Sequence, residues 1–275
     1  MSEPDDDLIE LGGTIPLGLY LRELWQRREF AIVVPANDVR AQNMDTVLGQ
    51  AWHLVNPIFL VGVYYVIFGV ILSADRGVAN YLAFLVVGVL LFQLTQRVVQ
   101  DSAMTIQRNE GLIRTLQFPR ALLPVSALVG QTIAFIPALV VLFGLLLVTG
   151  EWPRLTWLLL PAVLVAQSLI GLGGAFVVSR LGFVVRDVQQ ILPHLFRLLF
   201  YMSGVLFVVD EFVEDEFFQR LFALNPMYDV ITVARWSLLG TSLPAEVLIG
   251  TVLWALVLPI SGLLFFRAGE RHYGG

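Results

Sequence analysis

Long apolar runs separated by short polar stretches dominate this chain. The runs lie near residues 55–73, 78–95, 121–149, 155–179, 188–209 and 243–266. An α-helix of roughly 20 apolar residues crosses a ~30 Å hydrocarbon core, so the pattern predicts six membrane spans. Pro137 falls in the third and Pro161 in the fourth. Neighbouring helices can satisfy the carbonyls such prolines free. The fifth run is unusual because His194 and Arg197 occupy its first half. An intramembrane arginine is costly and faces protein or water rather than lipid.

Two further segments show helical periodicity. Leu17, Tyr20, Leu21, Leu24 and Trp25 form a one-sided stripe within residues 16–35, with Arg22, Glu23, Gln26, Arg27 and Glu29 on the remainder. The pattern predicts an amphipathic helix over 17–34, lying in the cytoplasmic membrane interface with Trp25 at head-group level. Packing on a cytosolic partner is the alternative. Residues 210–240 begin acidic and become amphipathic, and Asn225-Pro226 reads as an N-cap followed by a first-turn proline. A helical hairpin dipping into the outer half of the bilayer is expected there.

Composition narrows the chemistry. The chain has 57% hydrophobic and 14% charged residues, no cysteine, and a net charge of −5. Disulfides, thiolate metal sites and cysteine nucleophiles are therefore excluded. All 17 basic residues are arginine. Without lysine there is neither a P-loop nor a Schiff base, so the chain does not hydrolyse ATP in the P-loop manner by itself. The acidic balance argues against a nucleic-acid partner. Residues 1–15, "MSEPDDDLIELGGTI", read as an acidic, solvated and mobile tail without a signal peptide's basic region.

Arginine placement orients the six spans. Arg22, Arg27, Arg28, Arg40, Arg97, Arg108, Arg114, Arg120, Arg180, Arg186, Arg267 and Arg271 fall on the side of the termini, and Arg76, Arg154, Arg220 and Arg235 on the other. The excess places both termini in the cytoplasm.

Residues 96–118 then form a cytoplasmic connection carrying charge, Gly111 and a closing Phe118-Pro119. It reads either as an ordinary loop or as a short transverse helix, about 103–113, available to a partner.

Four segments together resemble a known family. "NDVRAQNMDTVLGQAWHLVNP" (37–57) carries Asp38, Arg40, Thr46, Leu48-Gly49, Trp52 and Pro57 in the pattern that precedes the first span of polysaccharide ABC-exporter permeases of the O-antigen and teichoic-acid type, an ABC-2 branch. "NEGLIRTLQFPRALLP" (109–124), "VVRDVQQILPHLFRLLFYMSGVLF" (184–207) and "LNPMYDVITVAR" (224–235) are similar to that family's segments before the third, fifth and sixth spans. The resemblance covers about residues 16–266 in order. Asn37, Thr115 and Gly204-Val205 depart from the usual residues, which suggests a divergent branch similar to the actinobacterial galactan exporters.

The resemblance implies an all-α ABC-2 permease fold. It has an acidic tail (1–15), an interface helix and approach segment (16–54), and a six-span domain (55–275) with a coupling loop at 96–120 and an outer hairpin at 210–240. It implies a homodimer in the plasma membrane and two copies of an ATPase subunit that bind ATP and Mg, this chain binding no cofactor or metal. The substrate would be a polyprenyl-diphosphate-linked polysaccharide. Arg108, Asn109, Glu110, Gly111 and Leu112 would contact the ATPase. Tyr64, Tyr65 and Phe68 from the first span, with Phe196, Phe200, Ser203 and Phe207 from the fifth, would line the pathway, where aromatic rings let sugars slide; packing between helices is the alternative fate of those rings. Trp25, Arg28, Arg40, Arg186 and Arg197 would receive the lipid head group, since guanidinium pairs bidentately with phosphate.

Other signals are weaker. Asp38 and Asp45 resemble one half of a prenyltransferase's paired aspartate motif, without the second half. Asp210, Glu211, Glu214, Asp215 and Glu216 read as a solvated rim, and His53, His194 and His272 as structural. An ABC-2 permease for a drug or small lipid, and a membrane enzyme acting on polyprenyl lipids, are the competing functions.

Overall fold

A computed structural model describes residues 16–29, 31, 32, 35, 49–74, 76–115, 118–270 and 273. The acidic tail and most of the approach segment, including Asp38, Arg40 and Asp45, lie outside them. Among the described residues every regular element is helical. Helix α1 is Leu17–Gln26, α2 Trp52–Tyr64, α3 Tyr81–Ser102, α4 Thr105–Arg108, α5 Glu110–Thr115 and α6 Leu122–Val148. They are followed by α7 (Leu160–Val184), α8 (Val188–Tyr201), α9 (Val209–Phe212), α10 (Glu216–Ala223), α11 (Pro226–Leu239) and α12 (Ala245–Ala268).

Among the described residues five segments are long and apolar enough to cross a membrane: Trp52–Ile71, Tyr81–Ser102, Leu122–Val148, Leu155–Val184 and Ala245–Ala268. The first changes pitch at its middle, where α2 passes into a π-helical stretch, Tyr65–Ile71. Helix α3 is the central post. Its residues Ala83–Phe92 are all buried, and α6, α7 and α11 pack around it. Such all-round burial explains its unbroken apolar sequence.

Helices α7 and α12 make the closest pairing. A Cβ on Gly173 would strike the Leu258 backbone, and one on Gly262 would strike the Gly173 carbonyl oxygen. Small residues at a helix crossing let backbones approach, which matters where lipid is as apolar as the side chains themselves. Inside the bundle, Gln167 donates to the Leu91 carbonyl and to Thr95 Oγ1 at 3.2 Å. Thr105 and Ser179 share a buried hydroxyl contact at 3.0 Å.

The fifth apolar run departs from the expected single helix over 188–209. Helix α8 has 14 residues, about 21 Å at 1.5 Å per residue, which is short of the hydrocarbon core. It stops at Tyr201, and Gly204 takes a left-handed conformation with φ 58°. Any Cβ there would be strained and would also meet Tyr228 and Val209 at 3.2 Å. The chain continues in non-helical form through Ser203, Val205 and Leu206, which are buried, until the Leu206 carbonyl accepts a 2.6 Å bond from Tyr81 Oη at the start of α3. Gln189, at the other end, bonds Gln107 at 3.0 Å. Residues 189–206 thus join the two ends of the bundle by a helix to Tyr201 and then by turns and bends through Leu206. Irregular backbone at such depth is stable only when protein satisfies it.

Arg235 supplies that satisfaction. Its guanidinium donates to the Gly204 carbonyl at 2.8 Å, the Val205 carbonyl at 2.9 Å and the Phe84 carbonyl at 3.3 Å, and it lies over the Phe84 ring at 3.3 Å. The residue is buried on α11, so it is not one of the exposed outer charges that the arginine tally had assumed. Helix α11 itself begins as its sequence predicts. Asn225 Oδ1 accepts from the Met227 amide at 2.9 Å, and Gly240 closes the helix with φ 71°. Asn225 Nδ2 also donates to Met202 O and to Ser203 Oγ at 2.9 Å, tying the hairpin to the break.

Candidate functional site

The end of the bundle that holds α1 also gathers α4, α5 and the C-terminal residues. Tyr20, Ile106, Ile113, Ala121, Leu123, Phe176, Phe266 and Tyr273 form one apolar cluster there. A polar knot sits on it. Tyr20 Oη donates to Glu270 Oε1 at 3.0 Å, and the same carboxylate oxygen accepts the Arg120 amide at 2.9 Å. The Arg120 guanidinium donates to the Glu270 carbonyl, and Arg267 lies over the Tyr20 ring at 4.5 Å. Burial first, and then the Glu270 carboxylate, push the Tyr20 phenol far above its usual value, so it stays protonated and donates. The predicted interface helix is therefore anchored through Tyr20, while Leu17, Leu21 and Trp25 of its stripe remain exposed. Arg28 bonds the Trp25 carbonyl at 3.2 Å and lies 4.9 Å from the Trp25 ring.

The predicted transverse helix is two short helices broken at Asn109. Asn109 Nδ2 turns back to the Thr105 carbonyl at 2.8 Å, ending α4. Ile106 and Ile113 face the cluster beneath, whereas Arg108, Glu110 and Gly111 are exposed and Asn109 and Leu112 are half-buried. Arg108 pairs with Asp101 at 2.8 Å, and Arg114 pairs with Glu110 one turn away. Both are solvent-exposed pairs of small energetic worth. A further connection of this segment runs inward. Gln107 Nε2 donates to the Gly182 carbonyl at 2.8 Å, and its Oε1 accepts from Gln189 at 3.0 Å. A push on α4 therefore meets the end of α7 and the start of α8 directly.

The aromatic residues chosen from the sequence meet in part. Tyr64 stacks on Phe200 at 5.1 Å, and Phe92 takes Phe200 and Phe196 edge-on at 5.1 and 6.1 Å. Phe196 and Phe200 are buried in the bundle, at 6% and 7% exposure. Tyr65 is exposed beside Tyr81, at 6.5 Å, and Phe68 lies 6.2 Å from Tyr64. Ser203 and Phe207 do not continue the α8 stripe, because the helix has ended. Ser203 bonds the Leu199 carbonyl at 2.6 Å, and Phe207 packs on Phe212 and Phe222 of the hairpin at 5.5 and 6.3 Å.

Of the arginines assigned to the lipid head group, Arg186 is exposed in the turn between α7 and α8. Arg197 is exposed on α8, well away from that turn. Phe92, Arg235 and Asp229 were not singled out by function. Asp229 is buried at 1% exposure against Gly250, with neither carboxyl oxygen hydrogen-bonded among the described residues. Intramembrane charge in "LNPMYDVITVAR" was the available signal for Asp229 and Arg235.

Comparison with known proteins places this architecture. The O-antigen export system permease protein RfbA of Klebsiella pneumoniae is 25% identical over 240 residues, 87% of this chain and 91% of that protein. The Myxococcus xanthus O-antigen export system permease protein RfbA is 27% identical over 212 residues, 77% of this chain and 81% of its own. The polysialic acid transport protein KpsM of Escherichia coli is 23% identical over 233 residues, covering 82% and 87%. Residues 37–239, which hold α2–α11, match the family described as ABC-2 type transporter, and the chain belongs to that family.

Proposed function

We propose that this chain is the transmembrane subunit of an ATP-driven exporter that moves a lipid-linked polysaccharide from the cytoplasm across the plasma membrane. The observation that carries the reading is the near full-length similarity to three permeases named for O-antigen export or polysialic acid transport. In this reading two copies of the chain pair with two copies of an ATPase subunit, which holds ATP and Mg. Both termini face the cytoplasm, and 188–209 is the fifth of six crossings.

The work would flow through α4 and α5. Arg108, Asn109, Glu110, Gly111 and Leu112 present the surface that the ATPase engages, and the Gln107–Gln189 bond passes displacement to α8. The polar knot at Glu270 carries the same displacement to α1, where the lipid substrate arrives. Trp25 and Arg28 receive its head group beside Arg186, with Arg40 assigned by sequence alone. Exposed Tyr65 of the first span accompanies the sugar, while Phe196 and Phe200 of α8 back the route from inside the bundle.

Affinity purification of the tagged chain from its native membrane tests the core of this reading. A stoichiometric ATPase carrying its own P-loop is expected, and scrambling residues 108–112 should release it while the chain stays folded. A chain that purifies alone, under conditions that preserve other membrane complexes, would contradict it.

A further inference from the structure

Helix α8 has three unlike faces, one of them an exposed apolar stripe of Ile191, Leu195 and Leu198 that suits lipid. Leu192, Phe196 and Phe200 are buried against the bundle. Gln190, His194, Arg197 and Tyr201 follow one another at spacings of 4, 3 and 4, so they share a different stripe, and all are exposed. The depth of that stripe is fixed by its neighbour. Phe196 meets Phe92, which lies midway along the membrane-long α3, so the adjacent Arg197 stands near the centre of the bilayer.

Arg197 makes no hydrogen bond or ion pair among the described residues. Asp187, the nearest carboxylate on its own strand of chain, lies about three turns earlier. Tyr64, near the middle of the first span, is within electrostatic reach of both Arg197 and Tyr201, which brings that span to the same stripe. An unpaired guanidinium facing hydrocarbon at this depth is a costly arrangement, and four polar side chains in register make lipid the wrong neighbour.

We propose that this stripe lines a water-filled route, with Arg197 and His194 forming a mid-membrane station for a phosphoryl anion. The anion is the phosphate group of the transported lipid-linked substrate, so the inference rests on the exporter reading. Guanidinium supplies two parallel donors to phosphate oxygens, and a neutral or protonated imidazole one turn away adds a third. Arg197 thereby belongs to the middle of the route rather than to its cytoplasmic mouth, and the buried phenylalanine stripe supports it from behind.

The chain has no cysteine, so single cysteines can be placed without background. Gln190→Cys, His194→Cys, Arg197→Cys and Tyr201→Cys, with Phe196→Cys and Phe200→Cys as buried controls, are labelled in native membrane vesicles. The probes are an anionic sulfonatoethyl and a cationic trimethylammonium methanethiosulfonate, with rates normalised to a free thiol. The four stripe positions should label from water and the two controls should not. His194→Cys should favour the anionic reagent by about tenfold. Adding Arg197→Gln should collapse that preference, adding Arg197→Lys should keep it, and pyrophosphate should slow labelling only where position 197 is cationic.

Stripe positions that resist both reagents, whether shielded by lipid or by a second copy, would overturn the proposal. So would charge-blind labelling that Arg197→Gln leaves unchanged. The labelling does not depend on an ATPase. The expected pattern in a chain that purifies alone would keep the station and sink the exporter reading. An ATPase-bound complex without the pattern would do the reverse.

Discussion

Two arginines near the fifth apolar run have opposite fates. Arg235 is buried and spends its donors on the carbonyls of Phe84, Gly204 and Val205. Arg197 is exposed on α8 and bonds none of the described residues. The difference shows how a charge is tolerated in an apolar bundle. One arginine repairs a broken helix, and its cost is met mainly by the Gly204 and Val205 oxygens that would otherwise be orphaned. The other is left for water or a ligand to satisfy. The first is a matter of folding and the second, as proposed above, a matter of transport, and substitutions should separate them.

Arg235→Met should have the largest effect. It leaves the buried Gly204 and Val205 carbonyls without their donor and removes a second bond from the Phe84 carbonyl, and a hydrogen bond to a charged group contributes about 1.5–3 kcal/mol. Thermal unfolding of the detergent-solubilised chain should show a loss of at least ~3 kcal/mol, whereas Arg197→Gln should unfold like the wild type. Equal losses would erase the contrast.

Gly173→Leu comes next. The new side chain meets the Leu258 backbone, which cannot yield as a side-chain tip could. Forcing α7 from α12 should cost about 1–3 kcal/mol by the usual scale of overpacking. The same unfolding measurement should register it, and Gly144→Leu, where a Cβ meets nothing within 4 Å, is the control.

Glu270→Gln should leave stability within about 1 kcal/mol, because the amide still accepts from Tyr20 and the Arg120 amide. Its effect should appear in coupling. The ATPase-bound complex should hydrolyse ATP normally yet export less polymer per ATP, and unchanged export would detach the knot from transmission. Asp229→Asn is the smallest change expected. The buried Asp229 carboxyl has no partner to lose among the described residues, so removing its charge should be neutral or slightly stabilising in the unfolding assay.

Much of this architecture was legible in the sequence, and the reasons differ by element. Long apolar runs had to be helices of spanning length, because few other structures satisfy their own backbone in lipid. The start of α11 followed from local chemistry in Asn225-Pro226 alone. The end of α8 did not. Its break depends on a left-handed Gly204 and on an arginine 31 residues later that takes the freed carbonyls. Periodicity therefore carried the stripe through Ser203 and Phe207 as though the helix continued. The site was read less fully for the same reason. Apolar spacing identified Phe196 and Phe200 as partners on one face, yet both facing the core and facing a channel produce that spacing. Only packing against Phe92 decides which face is open. The surface segment 108–112 was nearer to legible, since exposed charge beside Gly111 marks a surface connection, but the break at Asn109 arises from a side-chain bond to Thr105 that no pattern encodes.

The most direct test of export is where the polymer goes when this chain is removed. Depleting it in its native cell and fractionating lipid-linked polysaccharide should reveal accumulation on the cytoplasmic side and loss from the surface, reversed by the intact gene and not by the chain scrambled at 108–112. Unchanged surface polymer, with nothing retained inside, would contradict the assignment.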